Sequence, residues 1–205
     1  MDKMSACKLI LASNSPRRKE LLKGLGWSFE VRVLEGVDES YPSDLPPVEV
    51  ASYIACEKAS AYQVGQDELL ITADTIVVLG NEIMGKPLDA ADACSMLRKL
   101  SGQTHQVITG VCLKSKDKQR AFSVTTDVTF KNLTEEEINF YVERYAPFDK
   151  AGAYGIQEWI GYIGVTGLNG SYFNVMGLPV QRIYEELSQY FGLSIAEPKD
   201  QMEQV

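Results

Sequence analysis

A single carboxylate, Asp74, interrupts an apolar, β-forming segment that runs from Leu69 to Leu79. An ionised carboxylate in such a segment is costly to bury without a cation or strong hydrogen-bond donors. Acids in perturbing surroundings cluster at functional sites, where they serve as metal ligands or general bases. The alternative is a structural acid bonded to a neighbouring loop. Thr75, the next residue, could add a hydroxyl group to the same site.

A second candidate site begins where a short apolar strand, Lys8 to Ala12, leads into the segment SNSPRR at residues 13–18. Ser15 suits the N-cap of a helix, and the first turn of a helix favours an anion through its free N–H groups and its dipole. Arg17 and Arg18 can grip phosphate oxygens through paired hydrogen bonds. An ordinary helix start with surface arginines is the alternative, but cations there oppose the dipole. The predicted phosphate ligands are Ser13, Ser15, Arg17 and Arg18.

Three lysines stand next to turn signals or acids, namely Lys58, Lys86 and Lys150. Each of them alone is typical of a solvated surface charge. Lys86 is the most informative, because the flanking Gly85 and Pro87 favour a tight turn that would aim one ammonium group.

The segment DKAGAYGIQ at residues 149–157 combines two glycines with a closing Gln157. Glycines allow a ligand to approach the backbone closely, although a plain loop explains them equally well. The amide of Gln157 can both donate and accept, as recognition of a base edge requires. Asp149 could share a hard cation such as Mg²⁺ with Glu39, since this ion takes oxygen ligands. Glu39 also fits the alternative of a loop acid in an acidic segment.

The elements that must position these residues alternate between strands and helices, which predicts an α/β fold. His105 falls between two strand-like segments and is predicted to be structural or to face solvent. Strands are predicted at Lys8 to Ala12, Phe29 to Val33, Leu69 to Leu79 with a break at Asp74, Gln106 to Leu113, Phe122 to Phe130 and Ile160 to Val165. Helices are predicted from Pro16 to about Gly26, Val48 to Val64, Asp89 to Leu100, from the capping box at Thr134, and Leu178 to Phe191.

Composition excludes several classes of protein. The net charge of −8 and the lack of a basic stripe argue against nucleic-acid binding. No segment is apolar for long enough to span a membrane, and the N-terminus does not resemble a signal peptide. The four cysteines form no zinc-like pattern, which predicts free thiols in a cytoplasmic protein. We expect a single domain over residues 1–196 with a polar tail at 197–205.

Seven short motifs occur together over about residues 8–192, nearly the whole chain. In this order they resemble the Maf proteins, which are nucleotide pyrophosphatases related in fold to the inosine triphosphate pyrophosphatases. The matching stretches are Leu11–Arg18, Glu57–Ala59, Ala73–Thr75, Gly85–Pro87, Ser101–His105, Asp149–Gln157 and Asn169–Tyr172.

The resemblance implies an elongated, two-lobed mixed sheet with flanking helices and a central cleft. It implies Asp74 as the proton acceptor and a divalent cation, Mg²⁺ or Mn²⁺. With their carboxylate oxygens, Glu39 and Asp74 are the predicted protein ligands of this cation. The resemblance also implies that Arg17, Thr75 and Gln157 choose the base. These three residue types resemble the branch that acts on dTTP and UTP, whereas the sister branch acts on 7-methyl-GTP.

The expected reaction is hydrolysis between the α- and β-phosphates, with release of pyrophosphate. Lys58 and Lys86 would then offset charge on the phosphates and on the leaving group. A non-catalytic nucleotide sensor is the main alternative, but a sensor needs cations and no general base. The same chemistry on a different base is the second alternative. A homodimer is compatible with all of these interpretations.

Overall fold

The computed structural model describes residues 7–193, which form a mixed sheet with helices on both faces. The strands are β1 (Lys8–Leu11), β2 (Phe29–Val31), β3 (Glu68–Leu79), β4 (Glu82–Met84), β5 (Thr104–Lys114), β6 (Gln119–Phe130) and β7 (Val165–Asn169). The helices are α1 (Pro16–Lys23), α2 (Pro47–Ser60), α3 (Ala90–Leu100), α4 (Glu135–Tyr145), α5 (Trp159–Gly164), α6 (Tyr172–Val175) and α7 (Val180–Gln189). The predicted α/β class is confirmed.

A gap in the sheet determines where a ligand can enter. The strand order is β2-β1-β3-β5-β6-β7, and β5 pairs with β3 along nearly its whole length. On the opposite edge of β3, β1 pairs only with residues 68–71 and β4 pairs only with residues 77–79. Residues 72–76 of β3 therefore border an opening between β1 and β4, and Asp74 lies at its centre.

The two faces of β3 carry different layers of the core. Leu69, Ile71 and Ala73 pack with α1 and α7, whereas Val77 on the same face packs with α3, α4 and α5. These two apolar clusters are the cores of the two lobes, and Thr75 lies between them. The other face of β3 is covered by α2, as side chains alternate along a strand.

Helix α2 approaches the sheet closely at Gly110 of β5, which is the register partner of Asp74. A Cβ atom at Gly110 would lie 2.2 Å from the backbone of Ala51, so only glycine fits there. Thr72 adds a buried hydrogen bond of 2.6 Å from its hydroxyl to the carbonyl of Ala55. This close packing brings the end of α2, with Lys58, over the opening.

Three details of the sequence prediction were wrong. The break predicted in β3 is absent, because Asp74 keeps its register with β5 and turns its side chain toward α2. The segment predicted as a strand at Ile160 to Val165 is helix α5, with β7 following it. Helix α1 ends at Lys23 and is capped by Gly24 rather than by Gly26. Strand β4 and helix α6 were not predicted.

Other expectations concern the membrane and the chain ends. Within residues 7–193, no helix is long and apolar enough to cross a membrane. The predicted domain boundary after residue 196 and the polar tail at 197–205 lie outside the described residues.

Candidate active site

A cleft of about 530 Å³ occupies the opening between β1 and β4. Its walls come from the start of α1, the loop before α2, the end of α2, the middle of β3, the β4–α3 turn and the loop at residues 149–157. All the predicted site residues line this cleft: Ser13, Ser15, Arg17, Arg18, Glu39, Lys58, Asp74, Thr75, Lys86 and Gln157. The fold thus brings them together, although it leaves the role of each one a prediction.

Lys58 links two acids at one end of the cleft. Its Nζ lies 2.8 Å from Oδ1 of Asp74 and 2.9 Å from Oε1 of Glu39. The side chains of Lys58 and Asp74 are only 15% and 14% exposed, so this pair is shielded from water much more than a surface ion pair. The ammonium group supplies the cation that the sequence position of Asp74 requires.

The same pair of acids has the chemistry of a divalent-metal site. Burial raises the pKa of Glu39, but the hydrogen bond and charge of Lys58, with the charge of Lys86, bring it below its ordinary value. Two carboxylates that converge on one cation are suitable hard oxygen ligands for Mg²⁺ or Mn²⁺, with water and phosphate completing the shell. Within residues 7–193 there is no cluster of three such acidic or soft ligands. The residues present fit a cation that is held partly by its substrate.

The start of α1 has the capping geometry that favours an anion. Ser15 is its N-cap, and its Oγ accepts a hydrogen bond of 3.5 Å from the backbone N–H of Arg18. The buried Ser13 accepts one of 3.2 Å from the backbone N–H of Ser15. Residues 12–18 line the cleft, so the positive end of the helix dipole faces it.

Arg18 and Arg17 have different surroundings. The Arg18 guanidinium donates to the carbonyl of Gly177 at 2.8 Å, to that of Ala73 at 2.9 Å and to Oγ1 of Thr75 at 3.0 Å. It therefore occupies the free edge of β3 and joins three segments. Arg17 instead extends across the cleft.

Arg17 meets the opposite wall through Asp149. Its Nη1 lies 3.1 Å from Oδ2 of Asp149, whose Oδ1 is 2.7 Å from Nζ of Lys150. Burial raises the pKa of Asp149, but its hydrogen bonds to Lys150 and Arg17 bring it below its ordinary value. Asp149 is thus held by Arg17 and Lys150, whereas Glu39 pairs with Lys58.

Gln157 ends the same loop and contributes to the cleft lining. None of the described residues donates a hydrogen bond to its buried Oε1. A buried amide oxygen without a donor costs free energy, which a ligand that supplies an N–H group would recover. This side chain has the properties expected of a base-recognition group.

Thr75 and Lys86 complete the lining. The hydroxyl of Thr75 is 3.0 Å from that of Thr109, which donates at 3.0 Å to the carbonyl of Asn174. Lys86 is exposed on the turn after β4, and the carbonyl of Gly85 accepts from the N–H of Gly152 at 3.0 Å. The turn that aims Lys86 is therefore tied to the loop that carries Gln157.

Of the two alternatives for His105, the structural one is correct. His105 is buried behind the cleft, and its Nε2 is 2.7 Å from the hydroxyl of Tyr154. Burial lowers the pKa of His105 to about 4, so the ring is neutral at physiological pH. Tyr154 lines the cleft, although only its place in the 149–157 motif indicated this.

This arrangement defines a class of protein: an α/β protein whose central cleft holds cations, carboxylates and a helix start suited to phosphate groups. Residues 8–190 match the model of the family described as Maf-like protein. The chain belongs to the Maf-like family.

Its relatives are similar over nearly their whole length. The dTTP/UTP pyrophosphatase of Phocaeicola vulgatus is 60% identical over 191 residues, which cover 92% of this chain and 99% of that protein. The dTTP/UTP pyrophosphatase of Bacteroides fragilis is 58% identical over 184 residues, which cover 89% and 95%. A solved dITP/XTP pyrophosphatase from Mycobacterium abscessus is 15% identical with a TM-score of 0.42, covering 90% of this chain and 97% of that one. That likeness is too low to inform the site.

Proposed function

We propose that this chain hydrolyses dTTP and UTP to the nucleoside monophosphate and pyrophosphate. The proposal rests on one observation above all, the shielded Lys58–Asp74 pair at the centre of a phosphate-binding cleft. The dTTP/UTP pyrophosphatases that resemble the chain support it independently. The enzyme is therefore a hydrolase of nucleotides, and its chemistry can be derived from the cleft.

Binding of the triphosphate places its charge among fixed donors. The N–H groups at the start of α1 and the Arg17 guanidinium face the phosphates from one wall, and Lys58 and Lys86 face them from the other. Fixed donors and cations in a partly closed cleft stabilise charge that develops on the phosphates during reaction. They need no reorganisation when the bond breaks.

Asp74 is the proposed proton acceptor. Lys58 engages its Oδ1, which leaves the second carboxylate oxygen to orient a water molecule and take its proton. The water oxygen attacks the α-phosphorus, the bond to the bridging oxygen of the β-phosphate breaks, and pyrophosphate leaves with that oxygen. Lys58 and Lys86 are placed to neutralise the charge that the leaving group acquires.

Glu39 and Asp74 are the residues proposed to hold a divalent cation. A bound Mg²⁺ or Mn²⁺ would neutralise charge on the phosphate oxygens. Lys58 keeps the two carboxylates close together, which prepares the site for a divalent cation. Its ammonium group also competes with that cation for the same carboxylate oxygens.

Gln157 is proposed to select the base together with Arg17 and Thr75, which line the same cleft. The amide can pair with the 4-oxo and N3–H groups that uracil and thymine share. Cytosine reverses this donor and acceptor order, and purines are larger. A site that pairs polar groups rejects analogues that leave them unpaired by up to about 10⁴-fold.

The test is a panel of dTTP, UTP, CTP, ATP, GTP and 7-methyl-GTP with Mg²⁺, with Mn²⁺ and with EDTA. We expect monophosphate and intact pyrophosphate from dTTP and UTP, and loss of turnover in EDTA. Release of orthophosphate with a diphosphate would contradict the proposed bond cleavage. Tight nucleotide binding without turnover would favour the sensor. A cytoplasmic location and a homodimer remain predictions, to be checked by fractionation and by light scattering.

A further inference from the structure

The loop at residues 149–157 carries Gln157 at one end and contacts Arg17 at the other. Part of its backbone has the left-handed conformation. Gly152 and Ala153 have successive positive φ angles of 67° and 58°. The left-handed conformation is unfavourable for alanine, so the loop keeps this conformation only if contacts with neighbouring groups stabilise it.

Glu158 and Tyr141 lie behind this loop, outside the cleft lining. Oε1 of Glu158 is 3.1 Å from Nζ of Lys150, and Oε2 accepts a short hydrogen bond from the hydroxyl of Tyr141. That hydroxyl in turn accepts a hydrogen bond of 3.0 Å from the buried N–H of Gly155. Burial and the hydrogen bond to Glu158 raise the pKa of Tyr141, so the hydroxyl keeps its proton.

These contacts join the two ends of the loop. From Lys150, which is only 9% exposed, the ionic contacts continue to Asp149 and from there to Arg17. From Tyr141 they reach Gly155, two residues before Gln157. A chain of ionic contacts and hydrogen bonds behind the loop therefore runs from Arg17 to the backbone of Gly155, two residues before Gln157.

We propose that Glu158 and Tyr141 are positioning residues that set base choice by fixing Gln157 and Arg17 together. The inference rests on the proposed function and deepens it, because it assigns base selectivity to two side chains that do not line the cleft. Without Tyr141 the buried N–H of Gly155 has lost its acceptor and Glu158 has lost a donor, both of which are costly. The loop then samples other conformations, and the Gln157 amide no longer faces one base edge alone.

The test compares Tyr141→Phe with Tyr145→Phe. Tyr145 lies one turn further along α4, and its ring stacks on that of Tyr141 with the ring centroids 5.1 Å apart. Tyr145→Phe therefore removes a neighbouring hydroxyl that is not part of the chain of contacts, which makes it a matched control. For Tyr141→Phe we expect the ratio of kcat/KM for UTP over CTP to fall about tenfold, with KM for UTP rising more than kcat falls. Tyr145→Phe should keep the wild-type ratio. A purely structural role would lower the folded fraction and leave the ratio unchanged.

Amide hydrogen exchange gives a readout that does not need activity. In Tyr141→Phe, exchange in the segment 149–157 should speed up about tenfold, while exchange in α3 stays as in the wild type. Should the wild type hydrolyse no UTP, the proposed function fails and base choice falls with it, whereas unchanged loop exchange in a UTP-hydrolysing enzyme would overturn the positioning role alone.

Glu158→Gln keeps the shape of the side chain and removes its charge, so it tests the same chain of contacts if Tyr141→Phe does not fold. It should change the UTP to CTP ratio and the loop exchange in the same direction, to a smaller extent. A folded variant of either residue with the wild-type ratio and wild-type loop exchange would overturn the proposal.

Discussion

The two ends of the cleft are built differently. At the chemical end, Asp74 lies inside a strand of 12 residues and Lys58 inside a helix of 14 residues, and Gly110 lets that helix and the sheet pack closely. At the end proposed to read the base, called the base-reading end, Arg17 lies at a helix start and Gln157 at the end of a loop. Side chains on regular elements are held more rigidly than side chains on loops, which need further contacts to hold them.

This structural difference predicts that one end of the cleft controls the reaction rate and the other controls the choice of nucleotide. The ion pair of Lys58 and Asp74 is fixed by backbone packing, so changes there should alter turnover for every nucleotide alike. Gln157 depends on a loop with a positive φ angle at Ala153 and on the polar groups behind it. Changes there should alter which nucleotide is preferred. Substitutions at each end either separate rate from selectivity in this way or show that the two ends act as one.

The largest effect is expected for Asp74→Asn, which keeps the size of the side chain and removes the base. A positioned general base contributes about 10²–10⁴-fold, so turnover of dTTP and UTP should fall by that factor with their ranking kept. Steady-state kinetics with circular dichroism measure both activity and folding. Asp117→Asn, on the exposed turn between β5 and β6, is the control. Unchanged turnover would remove Asp74 from the mechanism, and an unfolded variant would indicate a structural acid.

Lys58→Gln should lower turnover by about 10²-fold, a typical cost for losing one fixed donor to a charged transition state. It leaves Asp74 and Glu39 close together without the ammonium group between them. The UTP to CTP ratio should stay as in the wild type, because the base-reading end is untouched. Lys23→Gln, an exposed lysine on α1, is the control. A changed ratio would mean that the two ends are coupled.

His105 supplies a pH test of the layer under the base-reading end. Burial lowers its pKa to about 4 in the folded protein, against about 6.5 in the unfolded chain, so the unfolded chain binds the proton first. Stability must therefore fall as the pH drops from 6.5 toward 4, by about 2 kcal/mol at pH 5.

Urea denaturation at pH 7 and pH 5 measures this loss for the wild type and for His105→Gln. The Gln side chain does not titrate, so the variant should lose about 2 kcal/mol less than the wild type between the two pH values. The carboxylates titrate in both proteins and cancel in the comparison. Equal losses in the two proteins would exclude His105 as the source.

The fold was predictable where a segment carries its own signals. The capping box at Thr134 and Glu137 fixed the start of α4, and both of its hydrogen bonds are present. The error at α5 has a local cause, since the segment IGYIGV is a short apolar run that suits either a strand or a helix. A Cβ atom at Gly161 would lie 1.8 Å from the carbonyl of Ile156, so the loop and this helix pack too closely for any other residue. That tertiary contact leaves no periodic signal.

The candidate site was predictable as a set of residues but not as a set of contacts. The motifs named Lys58, Asp74 and Gln157, yet no spacing indicates that Lys58 bridges Asp74 and Glu39. The polar groups behind the loop, such as Tyr141, belong to helices whose sequence patterns report only burial. The inward-facing role of Arg18 was also hidden, because its three partners are far from it in the sequence.

The smallest and most specific effect is expected for Gln157→Glu. The carboxylate has two acceptor oxygens where the amide has one, loses the amide donors and adds a charge. A 4-oxo base then has no donor for its oxygen, so kcat/KM for UTP should fall about tenfold relative to that for CTP, whose 4-amino group finds an acceptor. Competition between UTP and CTP in one reaction gives this ratio directly, and Gln103→Glu, an exposed site before β5, controls for the added charge.

If Gln157→Glu instead lowered turnover of all nucleotides equally, the base-reading end would be acting on the chemistry. A wild-type enzyme that prefers GTP or 7-methyl-GTP would show that Gln157 reads a different base. The ratio of kcat/KM for UTP over CTP therefore shows whether the Gln157 end of the cleft controls base choice or the reaction itself. The turnover rates of the Asp74 and Lys58 variants alone cannot show this.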